Sequence, residues 1–156
     1  MRIATVLVVA MSLGLCLAST GAAQGYSAMM DGFQVVPVVF TPASGVGGFS
    51  LDERLMFEYN ISFGGLQGTE ISAHVCGPAF PGENGPVIFD LPLGAVKFGT
   101  FGPLTGQQQA DLDAGLWYVS IHSNIYPDGE IRGQILSSVP VKEQTWGAIK
   151  ELYQIQ

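Results

Sequence analysis

Leu55-Met56-Phe57-Glu58-Tyr59-Asn60-Ile61-Ser62-Phe63, closed by Gly64-Gly65, puts an apolar residue at every odd position, with Glu58, Asn60 and Ser62 among those between. A period of two lines up one face only in an extended chain, so the stretch reads as a half-buried strand ended by a glycine turn. Similar runs recur on both sides at residues 26–30, 46–51, 71–76, 87–91, 117–122 and 130–136, separated by Gly, Pro, Asn and Asp. The gaps leave little room for crossover helices, which favours antiparallel pairing. Two small packed sheets bury these faces most simply, giving an all-β antiparallel sandwich with a candidate Greek-key order. Val46 and Phe49 differ in parity, which suggests a bulge near Gly47-Gly48. Within the domain, residues 107–112 predict one or two helical turns, capped by Thr105 and stopped near Gly115.

The chain has 156 residues, 47% hydrophobic and only 12% charged. That composition supports one core and argues against general disorder. Six basic against thirteen acidic residues give a net charge of −7. No basic stripe is present to displace counterions from a phosphate backbone, so nucleic acid is not an expected partner.

Arg2, the apolar run over residues 3–17 and the small residues 18–23 read as a secretory signal peptide spanning 1–23. The run is short for a bilayer crossing, so no stable membrane anchor is expected after cleavage. Leu15 before Cys16 is bulky where lipoprotein processing favours a small residue. The expected destination is exported, periplasmic or extracellular. The mature chain, beginning at Gln24, keeps Cys76 as its single cysteine and so has no internal disulfide. After the domain at 24–136, residues 137–156 read as a linker and a short amphipathic C-terminal helix. Its stripe of Trp146, Ile149, Leu152 and Tyr153 either docks internally or meets an unidentified extracellular or periplasmic protein.

Both histidines lie in conspicuous contexts, Ala73-His74-Val75-Cys76-Gly77-Pro78 and Ser120-Ile121-His122-Ser123. If Ile71, Ala73 and Val75 face the core, then His74 and Cys76 share the outer face, and the same parity turns His122 outward beside Ser120. Neighbouring strands would gather His74, Cys76 and His122 into a candidate copper or zinc site, because imidazole and thiolate suit those ions. Ordinary hydrogen bonding and an inert, partly buried thiol are the competing readings. In Tyr126-Pro127-Asp128-Gly129-Glu130-Ile131-Arg132-Gly133-Gln134, Glu130 and Arg132 face away from Ile131 and serve either a structural role or a second shell to His122, with Arg132 available to clamp an acidic side chain or a loop carbonyl. Glu83, Asn84 and Asp90 offer a weak calcium alternative. No GxxxxGK[ST], HExxH or nucleophile-elbow motif occurs.

Gly32-Phe33-Gln34-Val35-Val36-Pro37, Gly65-Leu66-Gln67-Gly68, Ala73-His74-Val75-Cys76-Gly77-Pro78, and the closing run from Trp117 through Tyr126-Pro127-Asp128-Gly129-Glu130-Ile131-Arg132-Gly133-Gln134 together resemble the CHRD domain over residues 26–136. This family is named for chordin and is also found in secreted bacterial proteins. The resemblance implies a secreted, noncatalytic structural or protein-interaction module. It also implies a middle motif with two alternate histidines, of which the second is Cys76 here. A metal-dependent extracytoplasmic redox enzyme with a mixed His/Cys site is the alternative. The partial likeness to copper-zinc superoxide dismutase does not extend to that enzyme's histidine-rich centre.

Overall fold

The structure, a computed structural model, describes residues 23–138. Residues 1–22 of the expected leader, with Cys16, and the expected tail helix bearing Trp146, Ile149, Leu152 and Tyr153 lie outside the described residues.

Nine strands follow one another as β1 (Gln24–Asp31), β2 (Ser44–Leu51), β3 (Phe57–Gly64), β4 (Glu70–Cys76), β5 (Val87–Asp90), β6 (Val96–Phe101), β7 (Tyr118–Ser123), β8 (Ile131–Gln134) and β9 (Leu136–Ser137). The helix α1 (Gly106–Asp113) stands between β6 and β7, and a single 3-10 turn, Gly32–Gln34, follows β1. All the strand pairs are antiparallel, in the order β5-β4-β7-β8-β1-β2-β3-β6 with β9 beside β1. The sheet folds over into two leaves, β5-β4-β7-β8 and β1-β2-β3-β6, joined where Asp31 pairs with Arg132. After the β4–β5 hairpin in one leaf, β6 returns beside β3 in the other, a Greek-key type of connection.

The period-two pattern of β3 delivers Phe57 and Ile61 to full burial, while Tyr59 and Phe63 pack at the margin of the core. Leu55 sits in a left-handed turn (φ 62°) just before the strand rather than within it. Facing these residues are Trp117, Val119 and Ile121 from β7 and its approach, and Ile131 and Ile135 from the β8 region. Phe57 joins the leaves: its ring stacks on Phe49 at 5.4 Å and meets Trp117 edge-on at 5.5 Å. Thr105 and Gln108 form a reciprocal capping box for α1, whose Leu112 is fully buried. Asp113 accepts from Gln24 Nε2 at 3.0 Å and from the Tyr26 hydroxyl, fastening the helix to the start of β1.

Three local expectations are corrected. No bulge interrupts β2, whose register with both neighbours is continuous from Ser44 to Leu51. Val46 instead faces solvent at 54% exposure, and Gly47 lies under the Phe49 ring, where an added Cβ would come within 2.6 Å of Cζ. Ile71 is exposed because the β4–β7 register shifts between Glu70 and Ser72. Strand β6 was not anticipated: its inward face carries Lys97, 1% exposed, which donates to Glu70 Oε1 and to the Pro92 carbonyl, and Phe101, which stacks on Phe89.

Phe57→Ala is expected to lower the unfolding free energy by about 3–5 kcal/mol, whereas Val46→Ala should stay within roughly 0.5 kcal/mol of the parent. Urea unfolding followed by tryptophan fluorescence measures both. A costly Val46→Ala would contradict the outward assignment of that residue.

Candidate functional site

The outer face of the β4–β7 pair carries both histidines. Ser72 pairs with His122 and His74 with Ser120, so the two imidazoles are diagonal neighbours, and their ring centroids stand 5.1 Å apart at 74°. Each ring is held through Nδ1: His74 to Asp90 Oδ1 at 2.8 Å, and His122 to the Pro127 carbonyl at 2.9 Å. A carboxylate and a carbonyl only accept, so each neutral ring carries its proton on Nδ1 and its lone pair on Nε2. His122 Nε2 is buried and meets no hydrogen-bond partner among the described residues. Burial lowers the His122 pKa and the neighbouring His74 adds to this, against opposing pulls from the Pro127 carbonyl and Asp128. Gly129 (φ 126°) lets the 126–129 turn close on this face, since a Cβ there would stand 3.2 Å from Ser120 Oγ in a backbone conformation that side chains rarely adopt.

Cys76 lies on the same face and lines the same pocket, a cavity of about 240 Å3 that also touches Tyr118 and Arg132. Its register partner on β7 is Tyr118, four residues from His122. That offset is roughly 13 Å along an extended strand, too far for the thiol and the His122 ring to share an ion without movement. Among the described residues no three His, Cys, Asp or Glu side chains are grouped to hold a metal. The structure therefore brings His74 and His122 together and leaves Cys76 apart. Burial pushes the Cys76 thiol up, and the opposing Tyr118 hydrogen bond and Arg132 charge do not reverse the shift. The calcium alternative is not assembled either: Glu83 and Asp90 belong to no group of carboxylates that could hold an ion among the described residues, and Asp90 is engaged by His74.

Glu130, Arg132 and Gln134 do face away from Ile131, yet loops cover them. Arg132 is 2% exposed, stacks 3.6 Å over the Tyr118 ring and donates to the carbonyls of Glu83 (2.7 Å) and Phe80 (3.4 Å). Of its two anticipated roles, this is the loop-carbonyl clamp. Gln134 donates to the Ala79 and Gly115 carbonyls and accepts from Arg132. Glu130 is fully buried and accepts from Thr41 Oγ1 at 2.7 Å and from the Gln67 backbone N–H at 2.6 Å. Its role is structural: it ties two loops to the end of β8, while the orienting partner of His122 is Pro127.

Burial alone would raise the Glu130 carboxyl, but hydrogen bonds from Ser123, Gln67, Thr41 and Gly68 outweigh it and hold the group below its ordinary value. A depressed folded-state pKa contributes stability above the unfolded carboxylate range, which is lost as pH falls through the folded value. Glu130→Gln is accordingly expected to cost about 1–3 kcal/mol at neutral pH, with the gap narrowing as urea unfolding is repeated in acid. A gap that widens in acid would contradict that sign.

The family model described as the CHRD domain matches residues 26–135, which takes in β1 from Tyr26 onward, β2 through β8 and every residue of the pocket. No curated protein and no solved structure matches the chain. The chain belongs to the CHRD domain family.

Proposed function

We propose that this chain is an exported, noncatalytic CHRD module that takes up copper or zinc on the outer face of the β5-β4-β7-β8 leaf and presents that face to an extracellular or periplasmic protein. The observation that carries this reading is the imidazole pair. His74 and His122 come from adjacent strands, and each has its Nδ1 held by a fixed acceptor. Metal-binding histidines are characteristically oriented in this way, by a carboxylate or a backbone carbonyl on the other ring nitrogen. Neutral imidazole suits copper and zinc, whereas calcium and magnesium would need an oxygen-rich shell.

The noncatalytic part of the reading is supported by Cys76. A redox enzyme with a mixed His/Cys site needs its thiolate at the ion, and here Cys76 stands opposite Tyr118, four residues along β7 from His122. Export is supported by the apolar run and small-residue boundary over residues 3–23.

Untagged protein recovered from its native host is expected to lack residues 1–23 by intact mass and to bind copper or zinc at about one equivalent. No redox turnover should accompany the metal. Protein that stays metal-free after a stoichiometric copper and zinc challenge would remove the metal from this reading, and a retained leader would remove export.

A further inference from the structure

We infer that the shell around this ion is only half built by the chain: the Nε2 atoms of His74 and His122 supply two positions, Cys76 supplies none, and a nitrogen donor from outside the chain completes it. The inference rests on the metal reading above and specifies its ligand set. Both Nδ1 atoms are occupied, so Nε2 is the free donor on each ring. A tetrahedral ion with nitrogens at about 2.0 Å places the centroids of two imidazole ligands roughly 5 Å apart. The observed 5.1 Å meets that requirement.

His122 Nε2 is buried with no partner among the described residues. An unpaired buried acceptor costs free energy. A bound ion would satisfy it.

The remaining pocket wall explains why the shell stays open. Tyr118 and Arg132 are stacked on one another, Asn84 is bonded to the Val36 carbonyl, and Cys76 stands opposite Tyr118, away from His122. Ser120 and Asp128 are the other polar side chains in the pocket; the Ser120 hydroxyl is a neutral oxygen, and the Asp128 carboxylate, a zinc ligand in other settings, is not grouped with the two imidazoles to hold an ion among the described residues. Copper and zinc with two imidazoles already in place favour further nitrogen or sulfur donors over neutral oxygen. A histidine side chain on a partner is the simplest donor of that class. The ion would then form part of the contact between the two proteins.

The test uses the untagged full chain, Cu(II) as the metal and free imidazole as the stand-in for a partner side chain. Electron paramagnetic resonance is expected to show two nitrogen ligands, and a third after imidazole is added, at unchanged one-to-one stoichiometry. His74→Ala and His122→Gln should each weaken binding by at least about tenfold. The glutamine amide can still donate to the Pro127 carbonyl, which keeps the turn closed. Asp90→Asn should weaken binding by roughly 10–100-fold through loss of ring orientation, and Cys76→Ser should leave affinity and spectrum unchanged.

Loss of binding in Cys76→Ser, or a spectrum unmoved by imidazole, would overturn this ligand set and leave metal binding in the pocket standing. Binding retained in both histidine variants, or absent from the parent, would overturn the metal reading itself.

Discussion

A guanidinium keeps its proton at any pH where this chain would fold, so burying Arg132 obliges the chain around it to supply acceptors. The loop at 80–84 supplies two of them as backbone carbonyls, Gln134 supplies a third, and the Tyr118 ring covers the flat face. That requirement holds the loop down on a sheet face that would otherwise be wet. The consequences spread along the loop: the Gly85 N–H donates to the Tyr118 hydroxyl, Asn84 reaches the Val36 carbonyl, and Cys76, Ala79 and Tyr118 become a second small buried cluster outside the main core. One cation thus turns an exposed leaf into the floor of a pocket.

Glu130 does the corresponding work with the opposite charge. It gathers the segments around Thr41 and Gln67 instead of the loop at 80–84. The two buried ions do not pair with each other; Arg132 is met by loop carbonyls and an amide oxygen, and Glu130 by two hydrogen bonds to Oε1, while its Oε2 is buried without a partner among the described residues. A charge met this way fixes loop geometry more tightly than it adds stability, because desolvation offsets much of the attraction. The histidines sit between these two anchored regions, on strands whose inner faces are closed by Val75, Val119 and Ile121. Their mutual placement is therefore set by β-sheet register and not by flexible loops, as a metal-binding pair would require.

Strand periodicity was readable wherever one face was apolar, as in Phe57 and Ile61 or Val119 and Ile121, and the Thr105 cap and Gly115 stop were readable from local chemistry alone. Strand β6 escaped notice because over its first half the inward residue is Lys97 while Val96 and Phe98 face solvent, which inverts the usual pattern. Parity correctly placed Glu130, Arg132 and Gln134 on the face opposite Ile131. It could not reveal that loops distant in sequence would cover that face. The same limit governed the site. Shared parity groups His74 with Cys76, but the cross-strand register, Ser72 opposite His122 and Cys76 opposite Tyr118, decides which of them stands near His122, and no single strand announces it.

The first strand of the domain is paired on both edges by partners of very different distance in the chain. Its β2 edge forms a hairpin, but the opposite edge waits for Arg132, Leu136 and Ser137, roughly a hundred residues later. Contacts of such long separation are slow to form, because the entropy of closing the intervening loop must be met before they stabilise anything. During vectorial synthesis, β1 would therefore hold an open edge until nearly the whole domain had emerged. The domain's closure is thus timed by its last strands, and a chaperone that shields a bare β-edge would find its natural client in every shorter nascent length.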